Sequence, residues 1–219
     1  MEGGKTQEHS ATASLWSLFA CRPIVGVACF RLGYALTNAL TWVFLPLLAT
    51  HLLPLSTIQV GLLISANVMV STFLQAPCGR LADRMNKAHL IGISGLASAL
   101  VLMAFPWATG FWQLLILNVL VGTAYGVAFP SHVALAMENA RGYGMGTVMS
   151  FLMLAHGVGM MIGPILFGVL ASHFSLGSAF WGGGIISALL TAACYPLARA
   201  VPLQTQVISA AEREVAVAD

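Results

Sequence analysis

The chain has 219 residues, of which 58% are hydrophobic and 7% carry a charge, and its formal net charge is +2. Because a soluble domain has about 25% charged residues, this composition excludes an ordinary soluble protein and indicates one embedded in a lipid bilayer. A nucleic-acid-binding surface needs more ionisable groups than this chain has. We therefore expect no nucleic-acid partner. The four cysteines show no CxxC spacing, and we expect no metal and no cofactor.

Six apolar runs follow one another along the chain, each long enough to cross a bilayer core of about 30 Å as a helix of about 20 residues. They occupy residues 24–49, 57–77, 88–105, 111–133, 145–171 and 176–199. Polar tails at 1–14 and 202–219 flank a membrane bundle that spans 15–201. The sequence therefore predicts an all-α membrane protein with six transmembrane helices.

The basic residues fall on one side of this predicted topology. Eight of the nine lie before helix 1, between helices 2 and 3, between helices 4 and 5, or after helix 6: Lys5, Arg22, Arg80, Arg84, Lys87, Arg141, Arg199 and Arg213. The connections 50–56, 106–110 and 172–176 contain no Lys or Arg. The positive-inside rule then predicts a multi-pass protein of the cytoplasmic (inner) membrane with both termini in the cytoplasm.

The connection between helices 2 and 3 is the most highly charged part of the predicted bundle. Its residues Gly79, Asp83, Arg84 and Lys87 resemble the signature of the major facilitator superfamily of secondary transporters. The resemblance implies a cytoplasmic conformational latch in which the Asp83 carboxylate lies near a helix N-terminus, a favourable position for an anion. Asn86 stands where a glycine is usual, and because Asn tolerates the left-handed conformation, we expect the turn to be retained. The alternative is that Arg84 and Lys87 only orient the helices.

Helix 5 carries a second match. Gly159, Gly163, Pro164 and Gly168 are similar to the Gly-Pro signature that the same family associates with exchangers. Because Pro removes a backbone donor and crowds the preceding turn, Gly163-Pro164 predicts a kinked or loosened helix. Phe167 replaces one glycine of the usual pair.

Helix 4 carries a partial third match, in which Asn118 occupies the position of the arginine found in the family's first half, ahead of Gly122 and Gly126. The absence of that arginine favours the C-terminal half of such a transporter. The resemblance covers 24–199, one six-helix bundle of the usual twelve helices, built as a 3+3 repeat. It implies secondary active transport of a small solute, with proton-coupled antiport or efflux as its specific form.

Members of this family bind their solute between two six-helix bundles, so the resemblance implies a second bundle, as a homodimer or a separate chain. The alternative is a non-transporting half-transporter that pairs with a full-length relative. On either interpretation we expect the chain to lie in the lipid bilayer. If it is a transporter, we also expect it to bind a small-molecule solute.

Polar side chains within the apolar runs mark a candidate path for the solute or for protons, because intramembrane ionisable residues are costly and often functional. The candidates are Arg31, Asn38 and Trp42, which share one face of helix 1, Asn118 and Tyr125 on helix 4, and His156 near the middle of helix 5. For each, the alternative is an interhelical hydrogen bond. Arg31 also has the option of extending to the interface.

An enzyme is also an alternative, because Gly92-Ile93-Ser94-Gly95 matches the short motif of rhomboid intramembrane serine proteases. That chemistry requires a histidine base, which rhomboids place on their last core helix. Helix 6 here has no histidine. We therefore expect no enzymatic activity, and the protease remains a remote alternative.

Overall fold

The computed structural model describes residues 18–51, 53–140 and 143–199; both predicted tails and Arg141 lie outside these ranges. Within them the chain forms six helices, each long and apolar enough to span a membrane. They are α1 (Arg22–His51), α2 (Thr57–Arg84), α3 (Lys87–Ala104), α4 (Phe111–Glu138), α5 (Met145–His173) and α6 (Leu176–Ala198). The prediction of an all-α protein with six transmembrane helices is confirmed.

The connection between α2 and α3 is shorter than the sequence suggests. α2 continues to Arg84 instead of ending at 77, so only Met85 and Asn86 separate the two helices. Asn86 does not use the left-handed conformation that Asn tolerates, because its φ is −67°. Its side chain caps α3 by accepting hydrogen bonds from the backbone N–H groups of Ala88 and His89 at 3.0 and 3.4 Å, and an N-cap residue requires extended backbone.

α1 contains a π-helical turn at Leu40–Phe44, about two thirds of the way along the helix. Pro46 follows this turn and has no N–H to donate to the carbonyl of Trp42 four residues earlier. A π turn widens the helix by one residue and accommodates the disrupted ladder. α1 therefore remains one continuous element.

The packing of the six helices repeats after every third helix. α2 lies mainly along α4, and α5 correspondingly lies along α1; α3 contacts α4, and α6 correspondingly contacts α1. α3 and α6 pack directly on each other, and α1 and α4 meet over a shorter length. Exchanging α1–α3 for α4–α6 thus preserves the main neighbours, as the 3+3 repeat predicts.

One end of the bundle, here called the basic end, carries Arg22, Arg80, Arg84, Lys87 and Arg199. Three contacts hold helix termini together there. The rings of Phe19 and Phe151 lie 5.1 Å apart, His89 stacks on Tyr195 at 5.9 Å, and Lys87 pairs with Glu138 at 2.8 Å. The predicted segregation of positive charge to one end is therefore present in the described part of the bundle.

Pairs of glycines four residues apart allow two helix pairs to approach closely. Gly122 and Gly126 on α4 face the backbone of α2, and Gly159 and Gly163 on α5 face α1. A Cβ atom on Gly159 would lie 2.6 Å from the carbonyl oxygen of Leu32. Because apolar burial gives no net attraction between helices in lipid, this close packing is what holds the pairs together.

The six helices are unequally covered. In its most apolar stretch α1 is 61% buried, whereas the corresponding stretches of α2 and α5 are 17% and 22% buried. Gly61 on α2 and Gly157 on α5 have no neighbouring atom within 4 Å of a built Cβ. α2 and α5 therefore offer the largest uncovered helix faces.

Candidate functional site

Arg31 is the only charged residue in the interior of the described helices, and it lies where α1, α4 and α5 meet. Its side chain is 5% exposed. Its Nη1 lies 2.7 Å from Nε2 of His132 on α4, and the guanidinium carbon lies 5.5 and 5.0 Å from the ring centres of Tyr34 and Phe129. Aromatic faces attract a cation, so these rings partly compensate for lost hydration.

The hydrogen bonds of His132 define its protonation state. Nδ1 lies 2.8 Å from the carbonyl oxygen of Ala128, which only accepts, so Nδ1 carries a proton and donates. Arg31 only donates, so Nε2 must accept and carries no proton. In this arrangement the imidazole is neutral, and the positive charge of Arg31 is not compensated by His132.

Tyr34 joins Arg31 to two further predicted site residues. Its ring centre lies 4.6 Å from that of Tyr125 and 6.0 Å from that of His156. The hydroxyl of Tyr125 donates a hydrogen bond to Oγ1 of Thr37 at 3.3 Å. The structure thus assembles three predicted residues, with three neighbours, into what we call the Arg31 cluster: Arg31, Tyr34, Tyr125, Phe129, His132 and His156.

The Arg31 cluster contains no carboxylate. Between residues 18 and 199 the sequence holds two acidic residues, Asp83 and Glu138. Asp83 is exposed in the last turn of α2, and Glu138 pairs with Lys87. Among the described residues, Nε of Arg31 and Nδ1 of His156 are buried polar atoms without a hydrogen-bond partner. The cluster is therefore electropositive and has unused hydrogen-bonding capacity.

Asn38 and Trp42, the other predicted candidates on α1, lie two and three turns beyond Arg31. The indole N–H of Trp42 donates to Oδ1 of Asn38 at 3.1 Å, and the Trp42 ring is 48% exposed. They form a polar contact of their own on the same helix, with Trp42 inside the π turn. The structure does not bring them into the Arg31 cluster.

Asn118 is fully buried between α2 and α4. Its Nδ2 donates to the carbonyl oxygen of Leu63 at 2.5 Å, and its Oδ1 accepts from Nδ2 of Asn67 at 3.2 Å. Nδ2 of Asn67 also donates to the backbone carbonyl of Asn118 at 2.8 Å. These contacts support the alternative of an interhelical hydrogen bond for Asn118.

The latch residues lie at the basic end. Asp83 and Arg84 occupy the exposed last turn of α2, and Gly79 lies one turn earlier, where a Cβ would be 3.9 Å from Pro130 of α4. Lys87 extends from the start of α3 to Glu138 at the end of α4. The structure therefore connects this motif to α4 through the ion pair of Lys87 with Glu138.

The Gly-Pro motif lies along the contact of α5 with α1. Gly159 and Gly163 face α1 directly, whereas a Cβ on Gly168 would be 4.0 Å from the ring of Phe44. α5 is a continuous helix through Pro164. The first two glycines thus determine how closely α5 approaches α1.

Ser94, the serine of the protease alternative, is buried in α3. Its hydroxyl donates to the carbonyl oxygens of Leu90 and Ile91 in the same helix, at 2.7 and 3.1 Å. It lines a narrow cavity that also touches Tyr34 and Tyr125 and has about 10 Å³ of free volume, room for a single water. This is the packing role expected of a small residue at a helix contact.

Sequence reasoning did not find His132 and Phe129 as partners of Arg31. The Arg31–His132 contact joins residues 101 positions apart. The available signal was their spacing of three residues, which places both side chains on one face of α4. That face becomes informative only once α1 and α4 are known to be neighbours.

Six spanning helices in a 3+3 arrangement, with a buried polar cluster at the meeting point of three of them, define a polytopic membrane protein of the transporter type. The model of the Major Facilitator Superfamily matches residues 14–216, and the chain belongs to that family.

Among curated proteins, the chain is 30% identical over 125 residues to the multidrug resistance protein MdtG of Salmonella choleraesuis (strain SC-B67). It is equally similar to MdtG of Salmonella arizonae, and 31% identical over 121 residues to that of Salmonella paratyphi A (strain ATCC 9150 / SARB42). Each match covers 55% of this chain and 30% of the relative. The chain therefore aligns with less than a third of these longer proteins.

Proposed function

We propose that this chain is one six-helix half of a secondary transporter that exports a small solute in exchange for protons. The Arg31 cluster is the observation that carries the proposal. It places a buried charge, two histidines and two unpartnered polar atoms between helices of an otherwise apolar bundle. Such groups are expensive to bury in a membrane and are kept where a solute or ion is handled. The relatives named as multidrug resistance proteins support export as the direction.

A second six-helix bundle completes the transporter, either a second copy or a separate chain. α2 and α5 are the least buried helices, so the second bundle would pack against them. Gly61 and Gly157 are small residues on their uncovered faces. Small residues at such positions allow close helix contact in lipid. The relatives' greater length is consistent with a missing bundle. Asn118, in place of an arginine, supports the C-terminal half.

The proposed division of work follows the position of each group. The Arg31 cluster forms one wall of the solute cavity, and His156, with its unpartnered Nδ1, accepts and releases the exchanged proton. At the basic end Asp83 and Arg84 are exposed to a facing bundle, while Lys87 is tied to Glu138. We assign these residues to a latch that closes one side of the cavity, facing the cytoplasm of a bacterial inner membrane, where both termini lie.

Flux measurements test the proposal. The full chain is reconstituted in liposomes in two preparations. In the first it is the only protein, and in the second it is co-expressed with the half of a full-length MdtG relative that this chain does not match. An imposed pH gradient drives transport of two fluorescent probes, ethidium as a cation and carboxyfluorescein as an anion. His156→Gln is compared with His173→Gln, which alters an exposed histidine at the C-terminal end of α5.

Flux of either probe that a protonophore abolishes and that His156→Gln alone reduces supports proton-coupled transport. If flux occurs with the chain alone, the second bundle is a second copy; if it requires co-expression, the second bundle is a separate chain. Absence of flux in both preparations overturns the proposal and favours the non-transporting half-transporter.

A further inference from the structure

A groove of about 390 Å³ lies on the outside of the bundle between α3 and α6, at the basic end. Small residues line it on both helices: Gly92 on α3, and Ala188 and Ala192 on α6. Ile93 and Leu96 also line it and are 67% and 50% exposed, so the groove is open to the surroundings of the bundle. Its volume lies within the range of about 300–1,000 Å³ that is typical of ligand-binding sites.

The groove fits within one leaflet of the membrane. It extends from His89 to Leu96 on α3 and from Tyr195 back to Ala188 on α6, which is about 10 Å along each helix at a rise of about 1.5 Å per residue. Half of a bilayer core of about 30 Å is about 15 Å thick. An occupant of the groove therefore extends from the end of the helices part of the way into the hydrocarbon, as one acyl chain of a lipid does.

The end of the groove at the helix termini is polar. His89 and Tyr195 line it there with their rings stacked. A Cβ on Gly92 would lie 3.0 Å from Cδ2 of Tyr195, so this glycine allows the tyrosine ring to lie against α3. The guanidinium carbon of Arg199 lies 5.4 Å from the centre of the same ring. Three groups that donate hydrogen bonds, a guanidinium, a phenol and an imidazole, therefore lie together at this end of the groove.

The charge of Arg199 is not paired with either carboxylate of the described helices. Arg199 is exposed, and its recorded side-chain contact is with the ring of Tyr195. Glu138 pairs with Lys87, and Asp83 lies in the last turn of α2. A groove that is apolar along its length and cationic at its outer end matches a molecule with an anionic head and an acyl chain. Basic pockets between membrane helices bind the phosphate head groups of such lipids.

We propose that this groove is a binding site for an anionic phospholipid in the leaflet at the basic end. The phosphodiester lies against Arg199, His89 and Tyr195, and one acyl chain lies along the small residues Gly92 and Ala192. Arg199 favours an anionic lipid over a zwitterionic one, because the ammonium group of the latter offsets its phosphate. The second bundle proposed above packs against α2 and α5, so it leaves this groove to lipid. The site is separate from the Arg31 cluster, and the proposal does not depend on transport.

Native mass spectrometry of the purified full chain, released from detergent micelles, tests this inference. The probes are phosphatidylglycerol and phosphatidylethanolamine with identical palmitoyl and oleoyl chains, and glycerol phosphate is the soluble competitor. Arg199→Gln removes the charge, and its control is Arg80→Gln, which removes an exposed arginine from α2 at the same end. Ala192→Phe fills the groove, and its control is Ala193→Phe, the next exposed alanine on α6, which does not line the groove. Circular dichroism and gel filtration monitor the fold.

We expect phosphatidylglycerol to bind about fivefold more tightly than phosphatidylethanolamine, the effect of one arginine near a membrane surface. Arg199→Gln should remove this preference, and Ala192→Phe should weaken the binding of both lipids several-fold, whereas the two controls should change neither.

Three results would overturn the inference: equal binding of the two lipids, an unchanged preference in Arg199→Gln, or displacement of phosphatidylglycerol by an equal concentration of glycerol phosphate. If Arg199→Gln does not fold, equal lipid binding by Ala192→Phe and Ala193→Phe has the same consequence. A protein dimer that carries no lipid and is lost in Ala192→Phe would instead identify a second copy as the occupant.

Discussion

Replacing Gly159 by alanine tests whether close contact between α5 and α1 holds this side of the bundle together. The added Cβ would lie 2.6 Å from the carbonyl oxygen of Leu32 and 2.7 Å from Cβ of Ala35. Ordinary contacts are about 3.5–4.0 Å, so α5 has to move away by about 1 Å, which removes a quarter to a half of the dispersion energy along the contact. Overpacking of this kind costs about 1–3 kcal/mol, offset by about 0.5–1 kcal/mol from replacing a mid-helix glycine.

We therefore expect Gly159→Ala to lower the free energy of unfolding by up to about 2.5 kcal/mol, with about 1 kcal/mol as the central value. The matched control is Gly157→Ala, two residues earlier on the same helix, where a Cβ meets nothing within 4 Å. That variant should leave stability unchanged or raise it by up to about 1 kcal/mol. Reversible unfolding in mixed micelles with increasing SDS, followed by circular dichroism, measures both. Equal stability of the two variants would refute the assignment of Gly159 to a close contact.

Three further predictions concern other parts of the bundle. Asn118→Ala should lower the free energy of unfolding by about 1–2 kcal/mol in the same assay, because it leaves buried groups on α2 unpartnered. Asn38→Ala should have a smaller effect. A larger effect of Asn38→Ala would contradict the α2–α4 contact. Lys87 and Glu138 should show a coupling energy below about 1 kcal/mol in a double-mutant cycle, because Glu138 is 56% exposed. In a cysteine-free background, a cysteine at Lys87 should react with a membrane-impermeant maleimide only from the cytoplasmic side and one at Phe174 only from the other; the same sidedness for both would exclude the proposed topology.

The helices were predictable because bilayer thickness imposes a minimum length on every apolar run, and all six runs gave rise to a helix. Their ends were less predictable. α2 continues to Arg84 and α4 to Glu138, beyond the runs that ended at 77 and 133, because a helix does not stop where its residues cease to be apolar. Charged and polar side chains continue it into the interface and are satisfied there by water and by one another.

The candidate site was predictable in its members but not in its grouping. Arg31, Tyr125 and His156 were recognisable because polar groups are conspicuous in an apolar segment, and the structure brings them together around Tyr34. Asn118 was equally conspicuous, yet its amide joins α4 to α2. The clustered residues and Asn118 differ only in which helix their side chains meet. A single sequence shows which residues are polar but does not specify which helices are neighbours.

Among the contacts that join the 3+3 repeats, the two between corresponding helices differ in kind. α3 and α6 meet along their length, with the rings of Phe105 and Phe180 stacked 5.2 Å apart, whereas α1 and α4 meet over a short stretch that includes the Arg31–His132 and Tyr125–Thr37 hydrogen bonds. Because α2 of the first repeat lies along α4 of the second, and α5 of the second lies along α1 of the first, the two repeats interlock. Neither repeat can rotate against the other without breaking these two most extensive contacts. We therefore expect the six helices to move in the membrane as one rigid unit.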